Sequence, residues 1–222
     1  MTFGIKLENV TVNYDGHIAL SDVSLELSAK SVAVIGTNGS GKSTFARLLN
    51  GLVKPTSGKV TVNGLAPNTK DTGFVFSNPD LQVVMPTVFE DVAFSLANEN
   101  LSKAEVRSRT EAALAEVGIL ELQEVSCYSL SSGQKQLLAL ASSLVREPRL
   151  LVADEPTTLL DLPNTRRITK LLHSVELEQL VVITHDLELA AICQEVVWFE
   201  GGKVRKQGKP KQVIAEYQKS CS

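Results

Sequence analysis

Three cysteines in 222 residues, Cys127, Cys193 and Cys221, are too few and too scattered for a disulfide framework or a zinc site. They read as ordinary reduced thiols. No apolar run approaches the roughly 18 residues that a membrane-spanning helix needs, and the longest, Leu137 to Val145, is about half that length and contains two serines. Direct membrane insertion is excluded on this reading, so any membrane contact runs through a partner. The first thirty residues lack a long apolar core and carry Glu8, Asp15, Asp22 and Glu26, so no signal peptide and a cytosolic chain are expected. Positive charge is not in excess either: 22 Lys plus Arg stand against 25 Asp plus Glu, a formal net charge of −3. That balance argues against a general nucleic-acid binder. What is present, 43% hydrophobic and 21% charged residues, suffices for one packed domain, or one with an inserted sub-domain.

Alternating apolar residues at Ile5, Leu7, Val10 and Val12, and again at Val23, Leu25 and Leu27, predict two half-buried strands. A nearly continuous apolar strand, Ser31 to Ile35, then leads through a glycine-rich turn to a helix with Phe45, Leu48 and Leu49 on one face and Gly51 as its stop. Strands follow at Lys59 to Asn63 and Gly73 to Phe76. From Pro86 to Ala141 the pattern turns helical; Ser102 and Glu105 form a capping box, and Glu105/Arg109 and Arg107/Glu111 are spaced to pair along a helix carrying Val106, Ala113 and Val117. Strands resume at Leu150 to Ala153 and Leu180 to Thr184 around a helix near Ile168 to Val175. Such alternation implies a parallel sheet. A hairpin, Val196 to Glu200 with Lys203 to Lys206, turns at Gly201-Gly202, and Pro210 starts a last helix.

The run Gly36-Thr37-Asn38-Gly39-Ser40-Gly41-Lys42-Ser43 matches the P-loop pattern at every fixed position, directly after a buried strand and before a helix. Its glycines let successive backbone N–H groups face an anion, the helix end adds a positive dipole, Lys42 can reach the outer phosphates and Ser43 can ligate Mg²⁺. The strand Leu150 to Ala153 ends in Asp154-Glu155, two adjacent carboxylates that are costly at the mouth of a core without a compensating cation. Leu130-Ser131-Ser132-Gly133-Gln134, ahead of an apolar run, reads by spacing equally as a serine-capped helix or as a second phosphate-binding helix end.

Taken together, GTNGSGKS, LSSGQ, LLVADE and Thr184-His185-Asp186 resemble, in order and spacing, the Walker A, signature, Walker B and switch-histidine motifs of the ABC-transporter ATPase family. The likeness covers essentially the whole chain. It implies an α/β P-loop NTPase (RecA-like) core with an N-terminal antiparallel β-subdomain over residues 1–85 and 142–222, and an inserted α-helical signature subdomain over 86–141. It implies ATP and Mg²⁺ as ligands, bound between two ATPase subunits placed head to tail. In that resemblance Tyr14 stacks on adenine, residues 36–44 including Thr44 hold the phosphates, and Ser131, Ser132, Gly133 and Gln134 reach the ATP of the opposite subunit. Asp154 holds Mg²⁺ through water, Glu155 is the general base, Asp161 lies in the subunit-contact loop and His185 touches the γ-phosphate; His17 and His173 match nothing.

Two positions depart from the family pattern. Ser132 stands where glycine is usual, and Ser77 stands where a glutamine contacts Mg²⁺ and senses the membrane partner. The serine is shorter, so a metal contact there runs through water. Ser77→Gln is expected to leave ATP binding intact and to preserve or raise ATPase activity, and its collapse in a purified assay would contradict this assignment.

Asn78-Pro-Asp-Leu-Gln82 and Val88-Phe-Glu-Asp-Val-Ala-Phe94 resemble the ATPases of energy-coupling-factor importers, which take up vitamins and transition metals. That likeness implies a pair of ATPases, a transmembrane coupling protein, a separate substrate-binding membrane protein, and a peripheral place on the cytoplasmic face of the membrane. The short stretch after the terminal hairpin favours a biotin uptake system with a homodimeric ATPase. The closest alternative is a conventional binding-protein-dependent importer, followed by a soluble ABC ATPase. A small P-loop kinase would not contain LSSGQ and LLVADEP, and a GTPase would show an Asn-Lys-x-Asp motif, which is absent.

Overall fold

The computed structural model describes residues 3–221. Two compact units emerge: one takes in the chain up to Thr72, Arg149–Glu155 and the chain from Glu176, and the other takes in Gly73–Pro148 and Pro156–Val175.

In the first unit β1 (Ile5–Tyr14) and β2 (His17–Leu27) form a hairpin, and β4 (Ser57–Val62) pairs with β1's other edge, giving an antiparallel sheet in the order β2-β1-β4. The alternation read from the sequence is the burial pattern: Ile5, Leu7, Val10 and Val12 point inward. The central strands β3 (Ser31–Ile35), β6 (Leu150–Asp154) and β7 (Gln179–Ile183) are parallel, and β6 and β7 are buried along their whole length. Such strands need apolar residues on both faces, which is why they read as continuous runs. The order continues β6-β7-β3-β8-β9, with β8 (Glu195–Glu200) parallel to β3 and β9 (Lys203–Gly208) antiparallel to β8. Helix α1 (Lys42–Leu49) follows β3. Helices α6 (Leu187–Ala191) and α7 (Pro210–Ser220) enclose a cluster of Ala33, Ile35, Ala190, Cys193, Val196, Trp198 and Val213, where Trp198 meets Tyr217 edge-on at 5.5 Å.

The second unit contains α2 (Val88–Phe94), α3 (Lys103–Val117), α4 (Ser132–Leu144) and α5 (Leu162–Ser174), entered through β5 (Thr72–Val75). Thr87 with Glu90, Ser102 with Glu105 and Ser131 with Gln134 make three capping boxes. The Glu105/Arg109 pair does not form. The Glu105 carboxylate turns back to accept the Ser102 N–H at 2.7 Å and hydroxyl at 2.6 Å, while Arg109 lies 3.0 Å from Glu99 and 3.3 Å from Glu147. Arg107 pairs with Glu111 at 2.8 Å as its spacing predicts.

The Arg167 guanidinium on α5 donates to the carbonyls of Val117 and Gly118 at 3.2 and 2.7 Å, placing a cation on the negative end of α3. Arg167→Ala is expected to lower stability by about 1 kcal/mol, since the guanidinium is exposed and water can replace part of the contact. A urea midpoint unchanged from the parent would contradict this.

Burial pushes the thiol of Cys127 up to about 11 and that of Cys193 up to about 12, whereas Cys221 is exposed. Because the thiolate is the reactive form, an alkylating reagent should modify Cys221 alone in the native protein. Peptide mass spectrometry that finds Cys127 or Cys193 labelled without denaturant would refute this.

Candidate nucleotide site

In the first unit β3 delivers the chain to residues 36–41, and Gly41 caps α1 in a left-handed conformation, φ 101°. Unlike α2 to α5, α1 has no side-chain cap, and its first turn carries no acidic residue to take the place of one. Its first N–H groups therefore have no partner in a preceding turn, and its dipole end is unneutralised. An anion is the natural complement. Thr37, Asn38 and Gly39 are exposed, Ser40 is buried with a hydroxyl that has no hydrogen-bond partner, and Thr44 is half-buried.

The Lys42 ammonium is buried and donates to the carbonyls of Gly36 and Thr37 at 2.8 and 2.9 Å. Burial pushes its pKa down, against the opposing pull of Glu155 and Asp154. At the end of β6, Asp154 is buried and accepts the Ser43 hydroxyl at 3.2 Å; desolvation pushes its carboxyl up. These donors are hard oxygens, the set that suits Mg²⁺ shared with phosphate oxygens and water. Among the described residues no cluster of three His, Cys, Asp or Glu side chains could hold an ion by itself.

Glu155 adopts φ 53°, which is unusual for a residue with a side chain and is strain of the sort found at functional sites. Its N–H donates to the carbonyl of Ile183 at 2.9 Å. His185, just after β7, meets it twice: Nε2 lies 3.0 Å from Oε1, and the backbone N–H donates to Oε2 at 3.3 Å. Thus Lys42, Ser43, Asp154, Glu155 and His185, distant in sequence, converge at the ends of β3, β6 and β7. Tyr14, at the tip of the β1–β2 hairpin, is 42% exposed and so has a ring face open to a ligand.

In the second unit the Ser131 hydroxyl accepts the N–H of Gln134 at 3.3 Å, and the Gln134 side chain accepts the N–H of Ser131 at 2.8 Å. Ser132 and Gly133 occupy the first helical positions of α4, where N–H groups lack intrahelical partners. The serine-capped helix start is thus the geometry that forms. Asp161 caps α5 by accepting the N–H of Asn164 at 2.9 Å, after Leu159, which is 91% exposed at φ 64°.

Ser77 is exposed and follows β5. The glutamine that works locally is Gln82, whose side chain accepts the Phe76 N–H and donates to the Phe74 carbonyl, both at 3.0 Å. It ties the segment holding Ser77 back to its own strand. The sequence carries no signal for this tether, because the chain returns only through the turn Pro79–Leu81.

Residues 20–158 match a family described as ABC transporter. The biotin transport ATP-binding protein BioM of Rhizobium etli is 40% identical over 218 residues, covering 96% of this chain and 97% of that protein. The energy-coupling factor transporter ATP-binding protein EcfA1 of Latilactobacillus sakei is 38% identical over 209 residues, covering 89% of this chain and 75% of that one. The solved dimeric ATP-binding cassette MJ0796, in a post-hydrolysis state with ADP and Pi bound, superposes with a TM-score of 0.84 at 29% identity, covering 93% of this chain and 98% of that one.

Proposed function

This chain belongs to the ABC transporter family, as an ATPase whose hydrolysis of ATP is coupled to transport, and we propose that it powers an energy-coupling-factor importer with biotin as its favoured cargo. The observation that carries the chemistry is the convergence of Ser43 on Asp154 and of His185 on Glu155 beside an uncapped helix end. Support for the importer type comes from the likeness to EcfA1, and for biotin from the likeness to BioM.

In this reading Tyr14 stacks on adenine, and the N–H groups of residues 36–41 with Lys42 and Thr44 bind the phosphates. The ammonium of Lys42 exchanges the carbonyls of Gly36 and Thr37 for phosphate oxygens. Ser43, and Asp154 through water, would hold Mg²⁺, which when bound neutralises phosphate charge. Glu155 orients a water and takes its proton as the water oxygen bonds to the γ-phosphorus and the bond to the β-phosphate oxygen breaks. His185 keeps Glu155 in place and meets the γ-phosphate. Water is held in line largely by position and charge, which is what phosphoryl transfer needs.

Ser131, Ser132, Gly133 and Gln134 belong to the ATP held by a second copy, with Asp161 at the contact between copies. No helix among the described residues is long and apolar enough to cross a membrane. The importer reading therefore requires a transmembrane coupling protein and a substrate-binding membrane protein, with this chain on the cytoplasmic face. Co-purification from detergent-solubilised membranes, with mass spectrometry of proteins and bound small molecules, tests it. One coupling protein with a biotin-loaded membrane protein is expected; paired permeases would replace this reading with the conventional importer, and no membrane partner would overturn both.

A further inference from the structure

The P-loop is braced from behind by a turn far along the chain, Gly202 lying 162 positions after Ser40. The Gly202 N–H donates to the carbonyl of Ser40 at 3.1 Å, and the Gly202 carbonyl accepts the N–H of Ser21 at 2.9 Å. One residue thus bonds the phosphate loop on one side and Ser21, near the middle of β2, on the other. The three backbones approach closely at Gly202, with the Leu20 side chain also packed against Gly41. A Cβ on Gly202 would lie 2.9 Å from the Ala19 carbonyl oxygen and 3.5 Å from the Leu20 Cα; one on Gly41 would lie 2.6 Å from the Leu20 Cδ2, 2.7 Å from that same oxygen and 3.6 Å from the Gly202 Cα. Backbone atoms cannot swing aside as a side-chain tip can. Its neighbour Gly201 shares the two-residue turn between Glu200 and Lys203 and also has positive φ, 54° against 75°, yet a Cβ there would meet nothing within 4 Å.

We propose that Gly202 is a positioning residue for nucleotide binding, which fixes the phosphate loop to the hairpin strand that starts beside Tyr14 and so sets the distance between the phosphate and adenine contacts. This rests on the nucleotide reading of the site. A loop whose N–H groups are already aligned binds its anion without the cost of ordering them. The hairpin register Tyr14↔His17 places residues 19–21 on the strand directly after the turn that presents Tyr14, so the brace spans both ends of the ligand. The sequence shows Gly201-Gly202 only as a hairpin turn.

The adjacent glycine is a matched control. Asparagine tolerates left-handed backbone, so Gly201→Asn and Gly202→Asn carry similar turn strain and differ in the collision with residues 19–20. Titration with a fluorescent ATP analogue should show affinity reduced at least about 10-fold in Gly202→Asn and changed less than about twofold in Gly201→Asn. Equal affinities in the two variants would overturn the inference while parental binding stands. A parent that binds no analogue would instead overturn the nucleotide reading and the brace with it. Hydrogen exchange on the parent chain is independent of how the variants fold. With a non-hydrolysable ATP analogue, the Gly202 amide should gain protection in step with the amides of residues 39–42, and protection confined to the loop would refute the brace.

Discussion

Glu155→Gln is expected to lower ATP turnover by about 10²- to 10⁴-fold, the range over which a positioned general base contributes, while ATP still binds. The amide keeps the size of the carboxylate and its ability to accept from the His185 backbone N–H, so the local geometry of the site should persist. What it loses is the capacity to take a proton from water. ATP therefore accumulates unhydrolysed, and a dimer closed around it becomes the resting species. Sizing with ATP should show that dimer in Glu155→Gln and a lesser share in the parent. Hydrolysis at the parental rate would refute Glu155 as the base. The left-handed backbone of Glu155 adds a second reason to look there, because strain of about 1–3 kcal/mol at a non-glycine residue persists only where the surroundings over-determine it.

Lys42→Ala is expected to weaken ATP binding by about 10- to 100-fold, the value of a hydrogen bond between charged groups of about 1.5–3 kcal/mol. The argument turns on cost as well as contact. Burial pushes the Lys42 pKa down, so the charged ammonium is held in the folded chain against its own desolvation, offset by Asp154 and Glu155 and by two carbonyls. A group kept under those conditions contributes to binding more than to folding. The unliganded variant should accordingly melt close to the parent, with the loss appearing in nucleotide titrations. A large fall in melting temperature without nucleotide, with affinity unchanged, would make Lys42 a structural residue.

Much of this was legible before the structure. Buried parallel strands show as unbroken apolar runs, so β3, β6 and β7 and the carboxylates that end β6 could be placed to within a residue or so. The capping box at Ser102 was equally readable, since its donors and acceptors are three residues apart. Contacts decided by competition were not. Glu105 can serve either Ser102 or Arg109, and only the fold shows that the cap takes it. Helix α6, with five residues, is too short for a helical period to register. The sequence places 1–85 and 142–222 in the core, whereas residues 73–85, 142–148 and 156–175 group with the helices of the second unit, where Arg167 meets the end of α3 and Asn164 lies against Gly133. The tether of Gln82 and the brace of Gly202 are set by backbone atoms met only after folding, and no spacing rule marks them.

The central claim is that each ATP is hydrolysed between the P-loop of one copy and the signature turn of another. Mixing two defective chains tests it most directly. Lys42→Ala removes the phosphate cation, and Ser132→Asp sets a carboxylate at the exposed first position of α4, where it suits the helix dipole but repels phosphate. Each alone should be nearly inactive. Mixed, they form some dimers in which both lesions fall on one shared site and the other shared site is intact, so ATPase activity should return. A mixture no more active than its components would contradict a site shared between chains.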